Sequence, residues 1–187
     1  MKRLDYLGLK FRAMALLVLG RNDAALAVFE RMIKTWPDDA YALASRAHLL
    51  TQAQRLPEAL VDSHRLVTLR ASHAATWFNH GFILELAGRL DEACAAFRRA
   101  TELDAKLDRA WYGLGLVLIR LRRYDEAMVA LQRNTELQPM SPYGWYQLAR
   151  VQVDRRQPDE AVKIIRHLKG FEPKVAAQLE RETQLRA

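Results

Sequence analysis

The stretch WYGLGLVLIRLRRYDEA, residues 111–127, carries the pattern that decides the fold. Trp111, Leu114, Gly115 and Leu118 fall at i, i+3, i+4 and i+7, which is one face of a helix. Arg122-Arg123-Tyr124 interrupts that periodicity as a turn, and Asp125-Glu126 then places acids at the positive start of a second helix. Ala127, Met128, Leu131 and Leu137 give this second helix its apolar side. Pro139 stops it, because proline lacks the amide proton and disfavours helix in the residue before it.

Outward from this stretch the same pattern returns every 34 residues, with Trp77, Trp111 and Trp145 as its markers. Asp91-Glu92-Ala93, Asp125-Glu126-Ala127 and Asp159-Glu160-Ala161 run in step with them, and alanine holds five successive sites from Ala25 to Ala161. Small residues recur at Ala13, Ala47, Gly81, Gly115 and Ala149, where a larger side chain would overpack two close helices. Prolines close units at Pro37, Pro139 and Pro173. Five units follow, 6–39, 40–73, 74–107, 108–141 and 142–175, with a C-terminal capping helix over 176–187 and one array spanning 1–187. A period of this length means stacked helix pairs, each burying the face its neighbour leaves bare.

Composition agrees. Half of the residues are hydrophobic, while 8 Gly and 6 Pro leave little room for the turns of an all-β fold. The single cysteine, Cys94, excludes an intramolecular disulfide and falls at an apolar core position of its helix. The apolar run from Ala13 to Leu19 is too short to span a bilayer, and no convincing leader cleavage site follows it. A cytoplasmic protein is expected. The net charge of +7 is spread among acids rather than gathered in a run.

Trp-x2-Leu-Gly at Trp111, Leu114 and Gly115, followed by Tyr124 to Ala127, resembles the tetratricopeptide repeat. The resemblance covers about nine tenths of the chain, with Leu9 and Leu43 replacing tryptophan in the first two units. It implies an all-α, right-handed superhelical α-solenoid of antiparallel helix pairs, with a concave groove where peptides or partner helices dock. No phosphate loop, zincin motif or nucleophile elbow appears, so no catalytic site, cofactor or metal is expected. His80 stands where Leu114 and Leu148 sit in later units, and so reads as a packed, hydrogen-bonded residue.

A stripe beginning two residues before each tryptophan lines the groove that the resemblance implies. It brings forward Tyr41 and His48, then Phe78, Phe82 and the adjacent Asn79, then Arg109 and Tyr112, then Tyr143, Tyr146 and Arg150. Phe78, Tyr112 and Tyr146 repeat at 34 residues, and aromatics with arginine beside them are typical interface anchors. The expected occupant is an apolar or aromatic segment of a partner protein, with an acidic group near Arg109 or Arg150. The lysine–asparagine pair of the chaperone-tail clamp is absent: Ala44 and His48 stand at its sites, and Gly113 replaces a basic partner.

The first helix departs from the pattern of a surface helix, being apolar around most of its circumference. Leu4, Leu7, Phe11, Met14 and Leu17 there point to self-association into a homo-oligomer as a second function. Membrane-surface contact through Lys2, Arg3, Lys10 and Arg12 is a weaker expectation. Single-stranded nucleic acid, suggested by net charge and groove aromatics, is disfavoured as a partner.

Overall fold

The computed structural model describes residues 2–187, and side chains from Leu4 onward. Met1 and the side chains of Lys2 and Arg3 lie outside the described residues. Among the described residues there are eleven helices and no strand. In order these are α1 (Lys2–Val18), α2 (Asn22–Thr35), α3 (Ala40–Gln52), α4 (Leu56–Leu69), α5 (Ala74–Leu86) and α6 (Leu90–Leu103). They continue with α7 (Asp108–Arg120), α8 (Tyr124–Leu137), α9 (Pro142–Asp154), α10 (Pro158–Lys169) and α11 (Pro173–Thr183). Odd-numbered helices up to α9 are the first helices of the five predicted units, and even-numbered ones the second. The chain divides into two compact units, Met1–Gly88 with α1–α5 and Arg89–Ala187 with α6–α11.

The turn inside each helix pair has one solution used five times. Gly20, Gln54, Gly88, Arg122 and Arg156 all have positive φ, between 59° and 75°, at intervals of 34 residues. Three of the five are not glycine, although the left-handed region costs an L-residue about 1–2 kcal/mol. In four of the five units an arginine then precedes the second helix, and in the last Gln157 does. Arg55, Arg89 and Arg123 each reach forward to the glutamate three residues on, Glu58, Glu92 and Glu126, with N···O distances of 2.6–2.9 Å. These pairs are solvated, so they shape the first turn more than they stabilise it.

The tryptophans serve the turn between repeats. The indole N–H donates to the carbonyl six residues earlier: Trp77 to Ala71 at 2.8 Å, Trp111 to Ala105 at 3.0 Å and Trp145 to Pro139 at 2.8 Å. The ring thus fills the helix interface while its polar edge satisfies a loop carbonyl. Gly115 is needed for close approach, since a Cβ there would lie 2.7 Å from Leu131 Cδ2.

The first unit packs around Phe29, Met32 and Leu50, with Ala25, Ala47 and Ala59 letting the helices meet. Two of its buried polar side chains are tied across helices. Arg46 holds the buried Asp62 carboxylate through two hydrogen bonds of 2.7 Å. His80 Nδ1 lies 2.9 Å from Ser63 Oγ, the hydrogen-bonded burial expected of that histidine. In the second unit, the buried Asn134 amide donates to the Asp108 carbonyl at 3.0 Å, tying α8 to the start of α7. Cys94 is buried.

The last helix begins earlier than expected. Pro173 both stops α10 and occupies the first turn of α11, where its missing N–H costs nothing. Ala176 and Leu179 are buried against Ile165 and Leu168. After Gln184, in the left-handed region, the chain turns back, and the Ala187 N–H donates to Glu180 Oε1 at 2.9 Å.

Candidate functional site

In the first unit, the first-helix stripes of two repeats converge on one cavity of about 300 Å³. Its lining includes Ala44, His48 and Thr51 from α3 and Ala75, Asn79 and Phe82 from α5. The helix period places these residues on one side of each helix, and the small side chains of Ala44 and Ala75 leave the space open. Phe82 is partly exposed on the wall, and the exposed His48 ring lies 3.1 Å from the Gln52 amide. Asn79 adds an exposed amide, a group that can both donate to and accept from a peptide backbone.

Other residues named from the sequence lie elsewhere. Tyr41 packs edge-on to Phe29, with ring centroids 5.9 Å apart, and Lys10 Nζ stands 4.5 Å from its centroid. It contributes to the core wall and is not among the cavity's lining residues. Phe78 is half-buried on α5 and also outside that lining. The stripe, counted on first helices alone, missed the contribution of the second helix: Ser63 and Leu66 of α4, with Arg70 just past its end, close that side. The signal was available, because Leu66 lies one and two turns from Asp62 and Ala59 on the buried face of α4.

The second unit has its own pocket, of about 310 Å³, on the first-helix face. Tyr112, Tyr143 and Tyr146 line it with Pro142, Gln147, Val175 and Gln178. Arg109 is exposed on α7, outside this lining. Arg150 does meet an acid, but one from the chain itself. The Tyr146 hydroxyl donates to Glu182 at 2.6 Å, Arg150 donates to the same hydroxyl at 3.3 Å, and the Arg150–Glu182 distance is 3.6 Å. Hydrogen bonds from Tyr146 and then Gln178 hold the Glu182 carboxyl below its ordinary range. Glu182 was not singled out from the sequence, since it belongs to a helix outside the repeat register.

The α1 residues divide between two sides. Leu4, Leu7, Phe11 and Met14 are exposed, whereas Leu17 turns inward against the first unit's core and Val18 takes the outer position. Among the described residues, no helix is long and apolar enough to cross a membrane, and no three His, Cys, Asp or Glu side chains gather as metal ligands would.

Solved structures share this architecture. MamA matches with a TM-score of 0.85 at 19% identity, covering 97% of each chain. A MamA form from Desulfovibrio magneticus RS-1 matches with a TM-score of 0.81 at 18% identity, over 95% of this chain and 96% of that one. YrrB, described as a TPR protein with an unusual peptide-binding site, matches with a TM-score of 0.79 at 17% identity, over 90% and 88%. A search of curated sequences gave no match. Family models described as tetratricopeptide repeat match residues 12–65 and 84–145, together more than half of the chain. With the repeating tryptophan contacts, the five equivalent turns and these matches in agreement, the chain belongs to the tetratricopeptide repeat family.

Proposed function

We propose that this chain is a non-catalytic interaction scaffold that takes a peptide or helical segment of a partner protein on its first-helix faces. One observation carries the reading: Ala44, His48, Thr51, Ala75, Asn79 and Phe82 line a single cavity in the first unit. Its alanines give room, Phe82 gives apolar contact, and His48 and Asn79 give polar groups that fix orientation. A few placed polar groups in a largely apolar concavity are the general form of a recognition site. The peptide-binding site described for YrrB supports a similar use of the repeat fold here. A short segment in one such groove binds in the micromolar range, about −8 kcal/mol.

The excess of positive charge supports nucleic-acid binding poorly. Arginines pair with acids of the same chain, as in Arg65–Asp38, Arg98–Glu126, Arg133–Glu136 and Arg155–Asp125. These pairs neutralise part of the positive surface that a phosphate backbone would require.

The test is selection of a phage-displayed peptide library on the intact protein, followed by calorimetric titration of the selected peptide. Asn79→Ala combined with Phe82→Ala should weaken binding at least tenfold, about 1.4 kcal/mol, while the melting temperature changes little. Equal affinity for wild type and variant would contradict the assignment of the face.

A further inference from the structure

The outer face of α1 is built like an interface. Leu4, Leu7, Phe11, Met14 and Val18 recur at alternating three- and four-residue steps, the spacing of a helix-packing seam. All five are exposed, with Leu4 at 75%, Phe11 at 69% and Val18 at 87% of their full surface. Gly8 and Ala15 lie between them, seven residues apart and also exposed, and a Cβ built on Gly8 meets nothing within 4 Å.

In later first helices the positions that match Gly8 and Ala15 are largely buried. The Gly8 register is Ala42 on α3, Ala110 on α7 and Gly144 on α9, all buried, with the half-buried Thr76 on α5. The Ala15 register is Leu49, Val117 and Val151, also buried. Gly113, in the register of Phe11, fits against the Phe97 ring, which would stand 2.9 Å from an added Cβ. At Gly8 and Ala15, helix α1 therefore leaves open a strip that α3, α7 and α9 bury at the same registers. Ser45, Asn79 and Gln147 are polar at the Phe11 register, so repeat packing does not call for the phenylalanine.

We infer that this face binds the same face of a second copy, with the two α1 helices antiparallel about a two-fold axis at Phe11. About that axis Leu7 stands level with Ala15 of the other copy, and Met14 with Gly8. Leu4 stands level with Val18, and Phe11 meets its own equivalent. Each large side chain in the middle thus faces a small one, as interdigitated packing requires. An isologous contact of this kind must be self-complementary, and this face is. Its buried area would be about 500 Å² per copy, near the lower limit for a specific interface, so the dimer should be micromolar and concentration-dependent. The proposal is independent of the groove reading, and failure of either leaves the other standing.

Sedimentation equilibrium of the intact protein from about 1 to 500 μM tests it. Wild type should pass from monomer to dimer across that range. Phe11→Asp should raise the dissociation constant about a hundredfold or more, because each dimer loses two central rings and gains two facing charges. Circular dichroism melting of the variant should match wild-type monomer. Phe11→Cys supplies geometry with a milder change: residues on the axis should form an intermolecular disulfide under mild oxidant. Gly8→Cys should not, since its equivalents lie six residues apart along the helices, beyond disulfide reach. Cys94 is buried and does not compete. A wild type that stays monomeric at 500 μM overturns the inference. So does a dimer indifferent to Phe11→Asp, or one in which Gly8→Cys crosslinks and Phe11→Cys does not.

Discussion

The two ends of the chain treat the same structural demand in opposite ways. At the C-terminal end, α11 buries Ala176 and Leu179 and turns the polar Lys174 and Arg181 outward. The tail then folds back, with Lys169 reaching both Glu180, at 2.9 Å, and the Ala187 carbonyl. At the N-terminal end, α1 buries Ala13 and packs Tyr6, Leu9, Leu16 and Leu17 inward, but turns Leu4, Phe11 and Val18 to solvent. A repeat's helix pair has two faces to satisfy. One end supplies a cover from its own sequence, and the other presents the uncovered face with added apolar bulk. A cover is a stability device. A bare apolar face is the kind of surface that marks a contact site.

The sharpest contrast should be energetic. Leu179→Ala removes a fully buried side chain from α11 and should cost about 2–5 kcal/mol in urea unfolding. Leu4→Ala on α1, measured at low micromolar concentration, should cost less than about 0.5 kcal/mol. Equal costs would break the comparison.

Glycines extend it. Gly115→Ala forces a methyl onto Leu131 and should destabilise by about 1–3 kcal/mol, whereas Gly8→Ala enters open space and should stabilise the dilute protein by about 0.5–1 kcal/mol. Both are read from denaturation midpoints. Trp145→Phe, which removes the indole N–H from the Pro139 carbonyl, should cost about 1 kcal/mol on top of any change in packing. In the first two repeats Leu9 and Leu43 offer no donor for such a bond. Arg122→Gly relieves a left-handed residue and should raise the melting temperature slightly, a gain below about 1 kcal/mol after the entropy of glycine is counted.

The smallest effect is a pH dependence confined to the sealed end. The Ala187 N–H and then Lys169 hold the Glu180 carboxyl below its ordinary range, as Tyr146 does for Glu182. A carboxyl lowered by folding stabilises the folded state above its unfolded pKa, and that contribution is lost as pH falls through the folded value. Amide protection factors in α11 should therefore fall below about pH 4, ahead of those in α7 and α8. A uniform loss of protection across the chain would show that the tail contacts contribute nothing particular.

What the sequence disclosed was whatever repeats. Five alanines, three tryptophans and the small residues at Gly115 and Ala149 announced helix pairs and their close contacts. The first-helix stripe names Ala44, His48 and Phe82, with Asn79 beside them, and these four line the first unit's cavity. Pairings between non-repeating positions stayed hidden. Arg46 with Asp62, Asn134 with the Asp108 carbonyl, and Tyr146 with Glu182 each join residues 16 to 36 apart without a periodic partner. No spacing rule selects them, because they depend on how two particular helices turn toward each other. Tyr41 shows the limit from the other side: its register matches the groove stripe, yet Phe29 and Lys10 claim its ring.

The central claim is that recognition belongs to the first-helix faces, and amide chemical-shift mapping with the selected peptide tests it most directly. The expected result is a set of perturbations concentrated at Ala44, His48, Thr51, Asn79 and Phe82. Perturbations centred instead on the outward sides of second helices, around Val61 or Val129, would contradict it.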